Sequence, residues 1–437
     1  MNAAAPSLPV AREPLWPGLG YALLIWLGTR LVVWVAAYTG AAIHVQICAG
    51  VEPPVHMQAE RIARELRDPD APLARYYHRC FDQFQPLMNW DAGHYAGVIE
   101  HGYQYRPSLP TDTQPQQYNI AFFPLYPLLA APLASVLGGR AALVLFANLA
   151  GLAAALALYI YVCRHVAADA ALPAVAIVFG WPTACFYSFG YAESLNLLLT
   201  VLVLHLAAVR RWWPAAVACG LATATRPTGL TLAPVLVLAW WFGNGHEPRR
   251  KLRLRPFYTL VAVAGVLAYA AYLTGRFGSP LVFFENFRSW IPGLTADEWP
   301  QFLRLEHVFN GFKYFGRAVR EFPVGLVHLT NPVTWNIPLV LVILALSLVG
   351  RWRAPAHLRP FLWLAPLIFL QRYLACGWNT WGLESLARYV MLATPALVVL
   401  ALLAARWRPG SRAALVTTIL LLQAMWAFRF GGRDWAG

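Results

Sequence analysis

The chain has 437 residues, of which 59% are hydrophobic and only 12% charged. A soluble globular domain carries about 25% charged residues, so this composition excludes a water-wetted globule and calls for a bilayer as solvent. The 34 Lys and Arg against 20 Asp and Glu, a formal net charge of +14, fall in short patches between apolar runs, which marks cytoplasmic loops and not a nucleic-acid surface.

In chain order, residues 1–17 are expected to be a cytoplasmic N-terminus and 18–43 a first transmembrane helix, its apolar run being too long for a cleavable signal. Residues 44–139 form a first extracytoplasmic loop. Within it, W-D-A-G-H-Y-A-G-V-I-E-H (90–101) predicts a helix with Asn89 as N-cap and Gly102 just past its end. Asp91 then falls in the first turn, where the helix dipole favours a carboxylate, and His94 and Tyr95 share its face. Trp90 is an interface anchor, and Gly93 and Gly97 allow something to pack closely. The bland alternative is an amphipathic helix lying on the membrane, with Asp91 merely capping.

Residues 121–137 carry Pro124, Pro127 and Pro132. An interior proline costs about 3 kcal/mol, so this segment reads as a re-entrant or interfacial helix on the outer side and not as a crossing. Residues 140–276 hold transmembrane helices 2–7, over 141–163, 170–188, 190–208, 212–225, 227–243 and 257–275. Arg164, Arg210-Arg211 and the basic run 246–255 mark their inner ends. Residues 277–332 are a second extracytoplasmic loop, and 333–437 contain the C-terminal spans 333–350, 359–376, 387–405 and 413–428. The sum is an all-α polytopic protein of about eleven crossings, N-terminus inside, C-terminus outside.

That topology collects Asp91, Glu193, Arg226, Arg372, Glu384 and Arg388 on the outer side, while Arg30 lies near the middle of the first span. Ionisable groups at membrane depth are costly and mark a substrate path, unless each is half of a buried ion pair or a snorkelling side chain.

The motifs W-D-A-G-H-Y with the following E-H-G-Y, A-F-F-P-L-Y-P (121–127), F-Y-S-F-G-Y-A-E-S (186–194), T-R-P-T-G (225–229) and S-L-A-R-Y (385–389) occur in this order. Together they resemble the GPI mannosyltransferase II (PIG-V) family and its bacterial relatives, within the GT-C superfamily of membrane glycosyltransferases. The resemblance covers about residues 25–395; the final span carries no family signal. It implies a GT-C fold and a metal-independent, inverting transfer of a sugar, usually mannose, from a polyprenyl-phosphate donor. It also implies that the carboxylate of the first outer loop, here Asp91, is catalytic. Nothing in the chain points to a GPI acceptor, and its compact loops look bacterial, so the expected location is a bacterial inner membrane with the site facing the periplasm.

The chemistry fits these residues independently. A polyprenyl phosphate is a stable leaving group, so the enzyme needs one carboxylate to take the acceptor's proton and cations to hold the phosphate. Asp91 is assigned as general base. Arg226 and Arg388 are assigned to the donor phosphate, because a guanidinium donates two parallel bonds and stays charged. Trp90, His94, Tyr95, Tyr187, Tyr191 and Glu193 are assigned to donor or acceptor binding, Glu193 having an ion pair with one of those arginines as its alternative. The expected partners are a polyprenyl-phosphate sugar, a glycan, lipid or protein acceptor and the bilayer, with no nucleic acid. No cofactor is called for beyond the lipid-linked sugar, and no His or Cys spacing suggests a metal. Cys48 and Cys80 share the first outer loop and are expected to pair. A lipid or solute transporter would also place charges in spans but would show internal repeats and broken helices near mid-membrane. A structural subunit would not need the outer acid and arginines.

Overall fold

The computed structural model describes residues 15–49, 83–106, 117–243, 255–287, 316, 320–321, 332–376 and 385–433. These residues form α- and 3-10 helices and no strand. The helices are α1 (Leu15–Ala49), α2 (Ala92–His101), α3 (Leu125–Leu137), α4 (Gly139–His165), α5 (Ala171–Gly180), α6 (Glu193–Ala208), α7 (Trp212–Thr223), α8 (Leu232–Gly243), α9 (Arg255–Ala262), α10 (Ala264–Phe277), α11 (Val282–Phe287), α12 (Pro332–Arg353), α13 (Leu364–Cys376), α14 (Leu386–Val390), α15 (Thr394–Ala404) and α16 (Pro409–Gly431). The basic run 246–255 (except Arg255), most of the loop 277–332, Glu384 and the Cys48–Cys80 pairing lie outside the described residues.

Four helices, α1, α4, α12 and α16, contain segments long and apolar enough to cross a membrane, and the chain is an integral membrane protein. The 13 residues of α3 reach only about 20 Å, so the proline-bearing segment is too short for a straight crossing. Several of the other expected spans are interrupted. The span 257–275 breaks at Val263 between α9 and α10, and 387–405 breaks between α14 and α15.

The span 170–188 breaks for a reason written in two residues. Pro182 forces the residue before it into an extended conformation, and Trp181 has φ −52° and ψ 142°, so α5 stops at Gly180 and a 3-10 turn runs over Pro182–Tyr187. A helix end buried in an apolar bundle leaves carbonyls that must find donors. Two side chains supply them. Arg30 Nη2 donates to Phe179 O at 2.6 Å and its Nη1 to Ala184 O at 3.0 Å. Gln423 Nε2 donates to Phe179 O at 2.7 Å and to Trp181 O at 3.2 Å. The mid-span arginine that stood out in the sequence is therefore the seal on a broken helix.

The first and last helices approach closely. A Cβ at Gly40 would collide with the backbone of Phe428, and one at Gly431 with that of Ala37, so small residues set this contact. At the end of α16, Phe430 stacks on Phe189 with centroids 4.0 Å apart. A second apolar cluster of Ile120, Phe123, Tyr269, Leu273 and Val282 ties the segment before α3 to α10 and α11. Tyr269 Oη donates to Ile120 O at 2.7 Å there, and Asn286 Nδ2 to Tyr118 O at 2.8 Å.

Candidate active site

The site is assembled where four segments remote in sequence meet. Gly190 N donates to Leu87 O at 3.0 Å, and Tyr191 Oη donates to Asn89 O at 2.9 Å. Asn89 Nδ2 donates to Phe430 O at 2.7 Å. Leu125 N donates to Ala224 O at 2.9 Å, which fastens A-F-F-P-L-Y-P to the segment carrying Arg226. Ala387 N donates to Asn336 Oδ1 at 2.9 Å and holds α14 in place.

Local structure then aims the side chains. Trp90 has φ 57°, a left-handed conformation that a bulky residue rarely adopts, and it is 46% exposed while its neighbour Asp91 is 9% exposed. This turn replaces the expected first turn of the helix: α2 starts at Ala92, Asp91 takes the capping position, and its carboxylate makes no capping bond. Asn89 is occupied elsewhere and is not the N-cap. Gly102 does end the helix, with φ 72°. Among the described residues, a Cβ at Gly93 would meet nothing within 4 Å, and one at Gly97 only Asn119 Nδ2 at 3.8 Å. Arg226 precedes Pro227 and is extended, with φ −170° and ψ 159°, for the same steric reason as Trp181.

Asp91, Arg388, Glu193 and Arg226 form one chain of ionic contacts. Asp91 Oδ2 accepts from Arg388 Nη2 at 3.0 Å, and Glu193 Oε1 accepts from Arg388 Nε at 2.6 Å. The same Glu193 oxygen lies 2.5 Å from Arg226 Nη1. That last contact is close in distance but off the hydrogen-bond direction, and Arg226 Nε has no hydrogen-bond partner among the described residues. Asp91 Oδ1 also accepts no hydrogen bond among them. The bland reading of Asp91 as a helix cap therefore fails on geometry, since its bonded oxygen points its charge at a guanidinium.

Aromatic rings box these cations. The Arg388 guanidinium carbon lies 4.6 Å from the Tyr191 ring, 4.7 Å from Phe186 and 5.1 Å from Tyr389. Arg226 lies 4.7 Å and Arg372 3.8 Å from the same Tyr389 ring. Three like charges around one ring are tolerable because its negative face attracts each of them.

Residues 57–245 match the sequence family described as Mannosyltransferase (PIG-V). That part of the chain is PIG-V-like. GPI alpha-1,6-mannosyltransferase 2 of Cricetulus griseus is 30% identical over 188 residues, 40% of this chain and 36% of that protein. The Homo sapiens protein of that name is 31% identical over 160 residues, 33% of this chain and 29% of its own length. The match thus spans about a third of the curated relatives. Among solved structures, the Archaeoglobus fulgidus oligosaccharyltransferase tethered with an acceptor peptide aligns at TM-score 0.37 and 16% identity, over 79% of this chain and 51% of that one. AglB from the same organism, in complex with an inhibitory peptide and a dolichol-phosphate, aligns at the same TM-score. A likeness that loose carries no argument.

The PIG-V-like region contains Asp91, Glu193 and Arg226, whereas Arg388, Arg372 and Tyr389 lie beyond it. Of the residues assigned from sequence, Asp91, Glu193, Arg226 and Arg388 converge. Tyr191 backs Arg388. His94 stacks on Phe122 at 4.6 Å, and burial lowers its imidazole below the ordinary value against the opposing Asp91 carboxylate. Tyr95 is buried between Phe122 and Tyr126, at 5.1 and 5.0 Å, and so packs α2 against α3. Tyr187 is fully buried beside Phe179, and its hydroxyl lacks a hydrogen-bond partner among the described residues. Tyr389, Phe186 and Asn89 were missed as contributors, although all three stand in or beside the quoted motifs. Among the described residues no group of three or more His, Cys, Asp or Glu could hold a metal ion.

Proposed function

We propose that this chain is an inverting membrane glycosyltransferase of the GT-C type. It moves a sugar, mannose, from a polyprenyl-phosphate donor to an acceptor hydroxyl at the extracytoplasmic face of a bacterial inner membrane. The topology of this reading has about eleven crossings, with the N-terminus inside. The observation that carries it is Asp91, a carboxylate at the end of a buried ion-pair chain, with one oxygen held by Arg388 and the other left without a hydrogen bond among the described residues.

In this reading the acceptor oxygen attacks the sugar's C1 from the face opposite the phosphate. Its proton passes to Asp91 Oδ1, the new C1–O bond forms, and the bond from C1 to the phosphate oxygen breaks with its electron pair leaving on the polyprenyl phosphate. A guanidinium stabilises that developing charge best when its donors are preorganised and shielded from water. Arg226, 5% exposed and with an unbonded Nε, and Arg388 line the phosphate side. Trp90, exposed beside Asp91, offers a flat face to a sugar ring, and His94 stands one turn along the same helix. The lipid tail stays in the bilayer, which explains a site built at the outer ends of helices.

The test is transfer of labelled mannose from mannosyl-phosphoryl-polyprenol to a panel of cell-envelope acceptors by the purified protein in nanodiscs, beside Asp91→Asn. Wild-type transfer that is lost in a folded, donor-binding Asn variant supports the reading. Equal transfer by both proteins removes Asp91 as the base, and no transfer with any acceptor removes the activity.

A further inference from the structure

We infer that Glu193 is a positioning residue that limits how strongly Arg388 holds Asp91, and that it binds neither the sugar nor the acceptor. The inference rests on Asp91 being the base. Glu193 is the first residue of α6 and only 1% exposed, beneath the two arginines that it pairs with. Its Oε1 is already shared by two guanidinium groups, at 2.5 Å from Arg226 Nη1 and 2.6 Å from Arg388 Nε.

The division of Arg388 is the informative detail. Its Nε goes to Glu193 at 2.6 Å, while only Nη2 goes to Asp91, at the longer distance of 3.0 Å. An arginine facing a single carboxylate prefers to hold it with two parallel bonds. Without the Glu193 charge, the Arg388 Nε loses its carboxylate and the guanidinium shifts toward Asp91. The carboxylate must then be pulled off a full guanidinium before it can accept a proton, and the catalytic step slows. At the same time the site loses one of the two acids that offset Arg226 and Arg388, so its attraction for an anion rises. Glu193 therefore pushes two quantities in opposite directions: it speeds the chemical step and weakens donor binding.

The experiment is steady-state transfer by the full-length protein in nanodiscs, with Glu193→Gln, Glu193→Asp and Asp91→Asn, alone and with Glu193→Gln added to Asp91→Asn. Competition by polyprenyl monophosphate reports binding of the phosphate separately. For Glu193→Gln, kcat should fall about 10-fold or more, the effect of re-sorting one charge-assisted hydrogen bond, while the donor KM falls and polyprenyl monophosphate competes more strongly. Glu193→Asp keeps the charge on a stem one methylene shorter, so both quantities should fall between wild type and Glu193→Gln, and it serves as the readout if the Gln variant does not fold. Adding Glu193→Gln to Asp91→Asn should cost no further kcat. A donor or acceptor KM that rises in Glu193→Gln makes Glu193 a ligand and overturns the inference. So does a fall in kcat with no change in donor KM or phosphate competition, which is the signature of a structural role. Wild-type transfer by Asp91→Asn alone overturns the base itself, whatever the Glu193 variants do.

Discussion

Arg30 and Arg388 are buried to the same 4% exposure and are held by opposite kinds of partner. Arg30 donates to two backbone carbonyls and to Ser188 Oγ at 2.9 Å, with its guanidinium 5.6 Å from the Phe179 ring, and no carboxylate among the described residues pairs with it. Arg388 is held by two carboxylates, between three rings. Backbone carbonyls at a helix end cannot change partner without unfolding the helix, so Arg30 is part of the fold. Carboxylates can be displaced by another anion or can take a proton, so the Arg388 network can be re-sorted by a substrate. Equal burial of an ionisable group in a membrane protein thus says little about its role until its partners are named.

The comparison is most sharply tested by Asp91→Asn, which keeps the shape but cannot take the acceptor proton. Loss of a general base costs about 10²–10⁴ in rate, so kcat should fall by that factor with donor binding retained. Arg30→Met should do the reverse. It leaves buried acceptors at Ala184 and Ser188 without their donor, each worth about 1–3 kcal/mol, and a clear fall in the thermal midpoint is expected with kcat per folded molecule unchanged. A folded but inactive Arg30→Met protein would erase the distinction between the two arginines. Next in size, Arg226→Lys keeps the charge but loses the planar fork, and the donor KM should rise about 10-fold with kcat little altered. An unchanged donor KM would remove Arg226 from the phosphate site.

The smallest effect concerns His94. Burial lowers its pKa from the ordinary 6.5, so the folded state holds the neutral form. As pH falls below about 6.5, the unfolded chain takes up a proton that the folded chain does not, and stability declines until the lowered value is reached. Thermal midpoints of wild type and His94→Gln should therefore diverge in slope between pH 7 and pH 5, with the wild type falling faster. Parallel curves would show that His94 titrates as an exposed imidazole.

Much of this was legible from residue order. The apolar runs named the solvent and Gly102 announced the end of α2, whereas the break at Pro182 inside the expected span 170–188 was not read. The W-D pair singled out Asp91. Other readings failed where a neighbour distant in sequence decided. Asn89 is a strong N-cap by type, but Phe430 O and Gln85 Nε2 claim its side chain. The last span carries no family motif, yet Phe430 on it packs against Phe189 and Phe186 at 4.0 and 5.6 Å, behind the arginine box.

By itself, then, the sequence determined the class of solvent and the candidate carboxylate. Hydropathy, proline sterics and capping act over a few residues and can be read locally. Only the tertiary structure decided that Asp91 meets Arg388 across 297 positions, that Glu193 meets it across 195, and that one carboxylate oxygen serves two guanidinium groups. An ion pair of this kind owes its strength to the low-dielectric packing of helices remote in the chain, and no local pattern encodes which helices those are.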